Sequence, residues 1–120
     1  MVSESPGARQ RRKDVRIAVC TRVQIVAEDN GRVSRLEGHI LDVSAGGCAV
    51  RVHAHLERGL ALRLQLEVGG VALRVPGRVM WSKIRDGACI VGVCFENLGH
   101  EQEAALRTYV AQQQRRRITI

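Results

Sequence analysis

Apolar and polar residues alternate with a two-residue period over most of this chain, the pattern of strands that bury one face. From about Val19, Val23 and Ile25 alternate with Arg22 and Gln24, and Asp29-Asn30-Gly31 offers residues that tolerate positive φ in a hairpin turn. A second strand is predicted from Val33 to about Leu41, ending at a turn that starts with Asp42. Cys48, Val50 and Val52 alternate with Ala49 and Arg51 as a third. The clearest alternation sets Leu62, Leu64, Leu66 and Val68 against Arg63, Gln65 and Glu67, before a Gly69-Gly70 turn. Leu73 and Val75 continue on a return strand, which Pro76-Gly77 is expected to interrupt with a bulge or bend before Val79-Met80-Trp81 resumes. Asp86-Gly87 is another turn, and Ile90 to Phe95 a closing strand.

The period changes once, after Gly99. From Glu101 to about Arg117 there is no Gly or Pro, and Ala, Gln, Glu and Arg predominate, which predicts a helix. Ala105 or Leu106, Tyr109 and Val110 share one narrow face of it, and Glu101, Glu103 and Arg115–Arg117 suit the helix dipole. About six short-linked strands and one late helix imply a mostly β fold, an antiparallel barrel or sandwich with a C-terminal α-helix. At 120 residues one domain is expected. It divides into a flexible segment at 1–10, a β domain at 11–100, and a helix with a basic tail at 101–120.

Composition sharpens this reading. Phe95, Trp81 and Tyr109 are the only aromatic residues, so the core must be aliphatic. The formal charge of +7 is concentrated at the two ends, in Arg9, Arg11, Arg12, Lys13 and Arg16 and in Arg107 and Arg115–Arg117. Between them, residues 17–106 sum to zero. Such ends attract polyanions, whether nucleic acid, anionic lipid or a phosphorylated ligand. Cys20, Cys48, Cys89 and Cys94 lack metal-site spacing and sit in apolar runs, so buried, reduced thiols are expected. There is no apolar leader and no run near the ~20 residues of a membrane span, so a soluble, cytoplasmic protein is expected. His39, His53, His55 and His100 have no nucleophile or carboxylate at a telling spacing, and His53 with His55 supplies too few ligands for a metal site. No enzyme, metal or cofactor is expected.

Two short segments carry recognisable chemistry. Arg11-Arg12-Lys13-Asp14-Val15-Arg16 precedes the first strand. Guanidinium groups bond the O6/N7 edge of guanine and grip phosphate with the same fork. Asp42-Val43-Ser44-Ala45-Gly46-Gly47 lies between two strands. There a carboxylate can accept from the N1–H and N2–H₂ edge of guanine, although Asp, Ser and Gly are also ordinary turn formers. The segments stand at the two ends of one hairpin.

Together they resemble the PilZ domain family. Arg12-x-x-x-Arg16, preceded by Arg11, is similar to that family's R-x-x-x-R element, and Asp42-x-Ser44-x-x-Gly47 to its D/N-x-S-x-x-G element. Ile90-Val91-Gly92-Val93-Cys94-Phe95 is similar to its closing strand, and the likeness covers about residues 11–98. The resemblance implies a six-stranded antiparallel β-barrel that binds cyclic di-GMP. Arg12 and Arg16 would hold guanine and phosphate from a mobile arm, and Asp42, Ser44 and Gly47 would line the guanine site. Arg11 would favour an intercalated pair of ligand molecules. Ordering of the arm would signal to a downstream protein partner, with the chain a monomer or a ligand-dependent dimer. Two other readings compete: a PilZ-like adaptor without nucleotide, which should lack motif residues, and a basic barrel for nucleic acid, which should have more aromatic platforms. No specific nucleic acid is therefore expected.

Overall fold

The alternation resolves into six strands and a helix in a computed structural model that describes residues 16–68 and 70–118. The strands are β1 (Ile17–Asp29), β2 (Arg32–Val43), β3 (Gly47–Val52), β4 (Ala61–Val68), β5 (Val71–Arg85) and β6 (Ala88–Phe95), followed by α1 (His100–Ile118). All neighbours pair antiparallel, in a closed barrel ordered β1-β2-β3-β6-β5-β4. A barrel rather than a sandwich results because β1 also pairs with β4, Ile25 opposite Leu64, which closes the sheet on itself. The expected flexible segment at 1–10 and the residues Arg11 and Arg12 lie outside the described residues.

Every second side chain turns inward. Val23, Ile25 and Ala27 on β1, Cys48, Val50 and Val52 on β3, Leu62, Leu64 and Leu66 on β4, and Cys89, Val91, Val93 and Phe95 on β6 are buried together. Burying such aliphatic side chains contributes about 1.5–3 kcal/mol each relative to exposure. Two turns take the form their residues foretold: Asn30 and Gly31 (φ 52 and 81) and Asp86 and Gly87 (φ 51 and 78) form two-residue hairpin loops with positive φ throughout. At α1, the Gln102 side chain accepts from the Gly99 N–H at 3.0 Å, capping the first turn. Leu106, fully buried, and Tyr109 then lie against Val19, Ile40, Val43 and Leu66. Of the pair Ala105 or Leu106, Leu106 is thus the one that enters the core.

Some expectations change. β1 starts at Ile17 rather than near Val19, and β2 runs through Asp42 to Val43 with a register shift between Ile40 and Asp42. In β5 the irregularity falls at Met80, between Val79 and Trp81, and not at Pro76-Gly77. Pro76 has no N–H to lose, and its carbonyl accepts from the Glu96 N–H at 2.8 Å. Gly77 leaves room for the Val93 side chain, which a Cβ there would meet at 2.6 Å. The strand therefore passes straight through. Cys48 and Cys89 are buried as expected, but Cys94 points outward from β6 and is exposed.

Two outcomes are expected from this packing. A Cβ on Gly47 would lie 2.2 Å from the Val93 carbonyl oxygen, a backbone atom that can yield only if β3 and β6 part. Gly47→Ala should therefore lower stability by about 2–3 kcal/mol in chemical denaturation, at the upper end of overpacking costs. Burial, and secondarily the negative charge of Asp42, push the Cys48 thiol far above its ordinary range, with Arg16 opposing weakly. Mass-spectrometric mapping after alkylation should find Cys94 labelled in the native protein and Cys48 labelled only on unfolding.

Candidate functional site: a groove across four strands

The register of β1 and β2 brings the two chemistry-bearing segments together. Ile17 pairs with Val43 and Ala18 with Asp42, so Arg16 emerges beside Asp42 although 26 residues separate them. The Arg16 Nη1 donates to Asp42 Oδ1 at 3.1 Å. Both side chains stay substantially exposed, 47% and 31%, so the pair contributes little to stability and opens readily. Arg16 is thus already seated on the barrel, unlike the free arm expected for it. Arg11 and Arg12 fall outside the described residues.

The rest of the Asp42–Gly47 segment faces the other way. Ser44 is 4% exposed, and its hydroxyl donates to the Gly47 carbonyl at 3.3 Å and accepts from the Gly46 N–H at 3.2 Å. The Ser44 N–H also donates to the Gly47 carbonyl, at 2.8 Å, and the Gly46 carbonyl accepts from the Phe95 N–H at 2.9 Å. Gly47 abuts the backbone of β6. Ser44 and Gly47 therefore build and anchor the turn, and Asp42 is the residue of the three that presents a functional group to the surface.

From Asp42 a row of outward positions crosses the sheet. Asp42 pairs with Ala49, Ala49 with Gly92, and Gly92 with Trp81. Three interstrand spacings place the ends of this row roughly 14 Å apart. Its floor is low at Ala49, which is small. The Trp81 ring lies directly on Gly92, where a Cβ would come within 2.2 Å of it. A parallel row runs His39, Arg51, Ile90 and Lys83. The Lys83 ammonium stands 5.4 Å from the centre of the Trp81 ring. Together the rows line an open groove of about 380 Å³, bounded by Leu41 and Asp42 on one side and Trp81, Lys83 and Arg85 on the other.

Trp81, Arg51, Lys83 and Arg85 are the groove residues that strand periodicity did not single out. Trp81 reads in the sequence as one more apolar residue, and the basic groups vanish in a body whose charges cancel. Their outward parity was the available signal, but it has meaning only once β3, β6 and β5 are known to be neighbours. Among the described residues, no three His, Cys, Asp or Glu side chains are placed to hold a metal ion. No described helix is long and apolar enough to cross a membrane.

Several solved structures share this architecture. YcgR from Escherichia coli, in complex with c-di-GMP, superposes with a TM-score of 0.72 at 17% identity, over 90% of this chain and 48% of that one. The Bacillus subtilis inhibitor of motility (MotI/DgrA) gives 0.72 at 20% identity, over 89% and 52%. The chain thus spans about half the length of these two proteins. The PilZ domain of CeSA from a cellulose-synthesizing bacterium gives 0.60 at 22% identity, over 82% of this chain and 98% of that domain. These likenesses establish the fold. No curated protein matches the sequence. The family model described as PilZ domain matches residues 10–112, which takes in the arginine segment, the Asp42–Gly47 turn, the whole barrel and most of α1, and this chain belongs to the PilZ domain family.

Proposed function

We propose that this chain is a cyclic di-GMP receptor that takes the dinucleotide into the groove between Arg16–Asp42 and Trp81. The observation that carries this reading is the row Asp42–Ala49–Gly92–Trp81. It sets a carboxylate and a guanidinium at one end of a low floor and an aromatic plane at the other. Family membership and the c-di-GMP complex of YcgR support the ligand class.

The chemistry divides naturally. The Asp42 carboxylate accepts from the N1–H and N2–H₂ edge of a guanine, a pattern that adenine does not offer. Arg16 exchanges its weak, exposed contact with Asp42 for the O6/N7 edge of guanine or a phosphate oxygen, a stronger fork-shaped contact in a less hydrated site. Ser44 and Gly47 act by holding Asp42 in place. Trp81 offers a base its face, and Arg51 and Lys83 face the two phosphates across the groove. Arg11 and Arg12 add further guanidinium groups from the segment before Arg16, and their ordering over the ligand is the step that would alter the surface a partner reads.

Trp81 is the single tryptophan, so its fluorescence reports on the groove. Titration with cyclic di-GMP should quench it, and calorimetry should give the same affinity. Arg16→Ala and Asp42→Ala should each weaken binding by about 10–100-fold, the loss of one charge-assisted hydrogen-bonding partner, while melting curves stay near those of the parent. Binding by either variant as tight as the parent's sinks the proposed site. Trp81→Ala, followed calorimetrically, should cost about tenfold, the value of one stacked base. GTP should bind more weakly than the dinucleotide. A DNA oligonucleotide that competes equally, with steep salt dependence, would assign the basic groups to polyanions in general.

A further inference from the structure

β5 is the longest strand, and only part of it is flanked on both sides. β4 begins at Ala61, opposite Arg78. Just before it, the Gly59 N–H donates to the Val79 carbonyl and the Val79 N–H to the Leu60 carbonyl, at 2.8 and 2.9 Å. Arg78 pins this point, its guanidinium bonded to both Glu96 carboxylate oxygens and to the Gly59 carbonyl. Beyond Val79, residues 80–85 keep β6 on one side, from Trp81 opposite Gly92 to Arg85 opposite Ala88. Among the described residues no strand lies along their other side. The open edge is about 20 Å long at the rise of an extended chain.

This edge also gathers exposed apolar side chains. Of the large ones exposed among the described residues, Met80, Trp81 and Ile84 lie on it, and Ile84, at 76%, is the most exposed. Lys83 and Arg85 flank Ile84, and among the described residues neither is in an ion pair. An unpaired edge with aliphatic groups invites another strand, and proteins ordinarily guard such edges with bulges and charges. The bulge at Met80 and the charges at Lys83 and Arg85 guard this one against a second copy. Pairing β5 with itself about Lys83, or about Ile84, would set Lys83 opposite Lys83 or Arg85, like charges directly across the ladder. The same charges attract a strand that carries carboxylates.

We propose that residues 80–85 of β5 are a docking edge for an extended acidic segment of a partner protein. The segment adds as a further strand, with carboxylates beside Lys83 and Arg85 and an aliphatic side chain beside Ile84. Main-chain bonds supply affinity in such additions, and alternate side chains supply selectivity. The edge shares Lys83 and Arg85 with the wall of the groove, whereas its main-chain pairing and Ile84 lie outside the groove lining, so the peptide can be tested without the dinucleotide.

The probe is a short, end-capped peptide of alternating Glu and Val, titrated into the full chain by calorimetry and followed by amide hydrogen exchange. It should bind and slow exchange within residues 80–85, and the same peptide with Lys for Glu should not bind. Of two versions, N-methylated at every Glu or at every Val, one should lose at least about tenfold in affinity, because a strand added to an edge donates from alternate residues. Ile84→Asp, at an exposed position outside the groove, should likewise weaken the parent peptide at least about tenfold by placing like charge against it. Equal binding by both N-methylated versions, protection on a different strand, or no binding of the parent peptide overturns the proposal.

Discussion

At Gly47 the backbone of β3 comes so close to the Val93 carbonyl of β6 that only a hydrogen fits between them. The placement of everything else depends on this approach. It joins β3 to β6 rather than to β4, the next strand in sequence, and so sets the barrel order. It also anchors the turn that carries Asp42, through Ser44 on one side and the Gly46 carbonyl to Phe95 on the other. Two pairs further along the strands, Ala49 lies opposite Gly92, whose lack of a side chain gives the Trp81 ring its seat at the edge of the groove. One close contact between two strands thus supports both the closed core and the shape of the groove.

Electrostatically the groove is prepared without being costly. The Arg16–Asp42 pair joins two partly solvated groups, so exchanging it for ligand contacts loses little. Cys48, opposite Val43 and so one pair along from Asp42, stays neutral because burial and the nearby carboxylate both oppose a thiolate. No second negative charge therefore competes for Arg16 from within the core. Across the groove, Arg51, Lys83 and Arg85 outnumber Asp42 and Asp86. A barrel body that is neutral in sum is in this way locally positive where an anion would lie.

β5 reconciles two demands on one strand. Inside the barrel it must alternate strictly, and Val75 and Val79 are buried accordingly. Past Val79 the extra residue at Met80 breaks that alternation and re-aims the rest of the strand, so Trp81 lies over Gly92 on the outer face. The same stretch outruns β4 and becomes an edge. The aromatic platform and the free edge therefore share a cause: a strand longer than its neighbour, with one residue inserted where the pairing on one side stops.

Much of this was legible in the residues alone. Alternation at Leu62–Val68 located a strand with one buried face, and Asn30-Gly31 and Asp86-Gly87 located hairpins, because these are local demands of side-chain parity and backbone φ. Arg16 and Asp42 could be paired as candidates because a single hairpin joins them, and a hairpin is the one long-range contact that sequence order predicts well. The choice of Leu106 over Ala105, the straight passage of Pro76-Gly77 and the outward thiol of Cys94 were decided by neighbours distant in sequence. So were the roles of Ser44, drawn inward by its turn, and of Trp81, which became a wall of the groove only because β5 lies beside β6 and β6 beside β3. Local periodicity states which face of a strand is wet; only the order in which the barrel closes states what that face looks at.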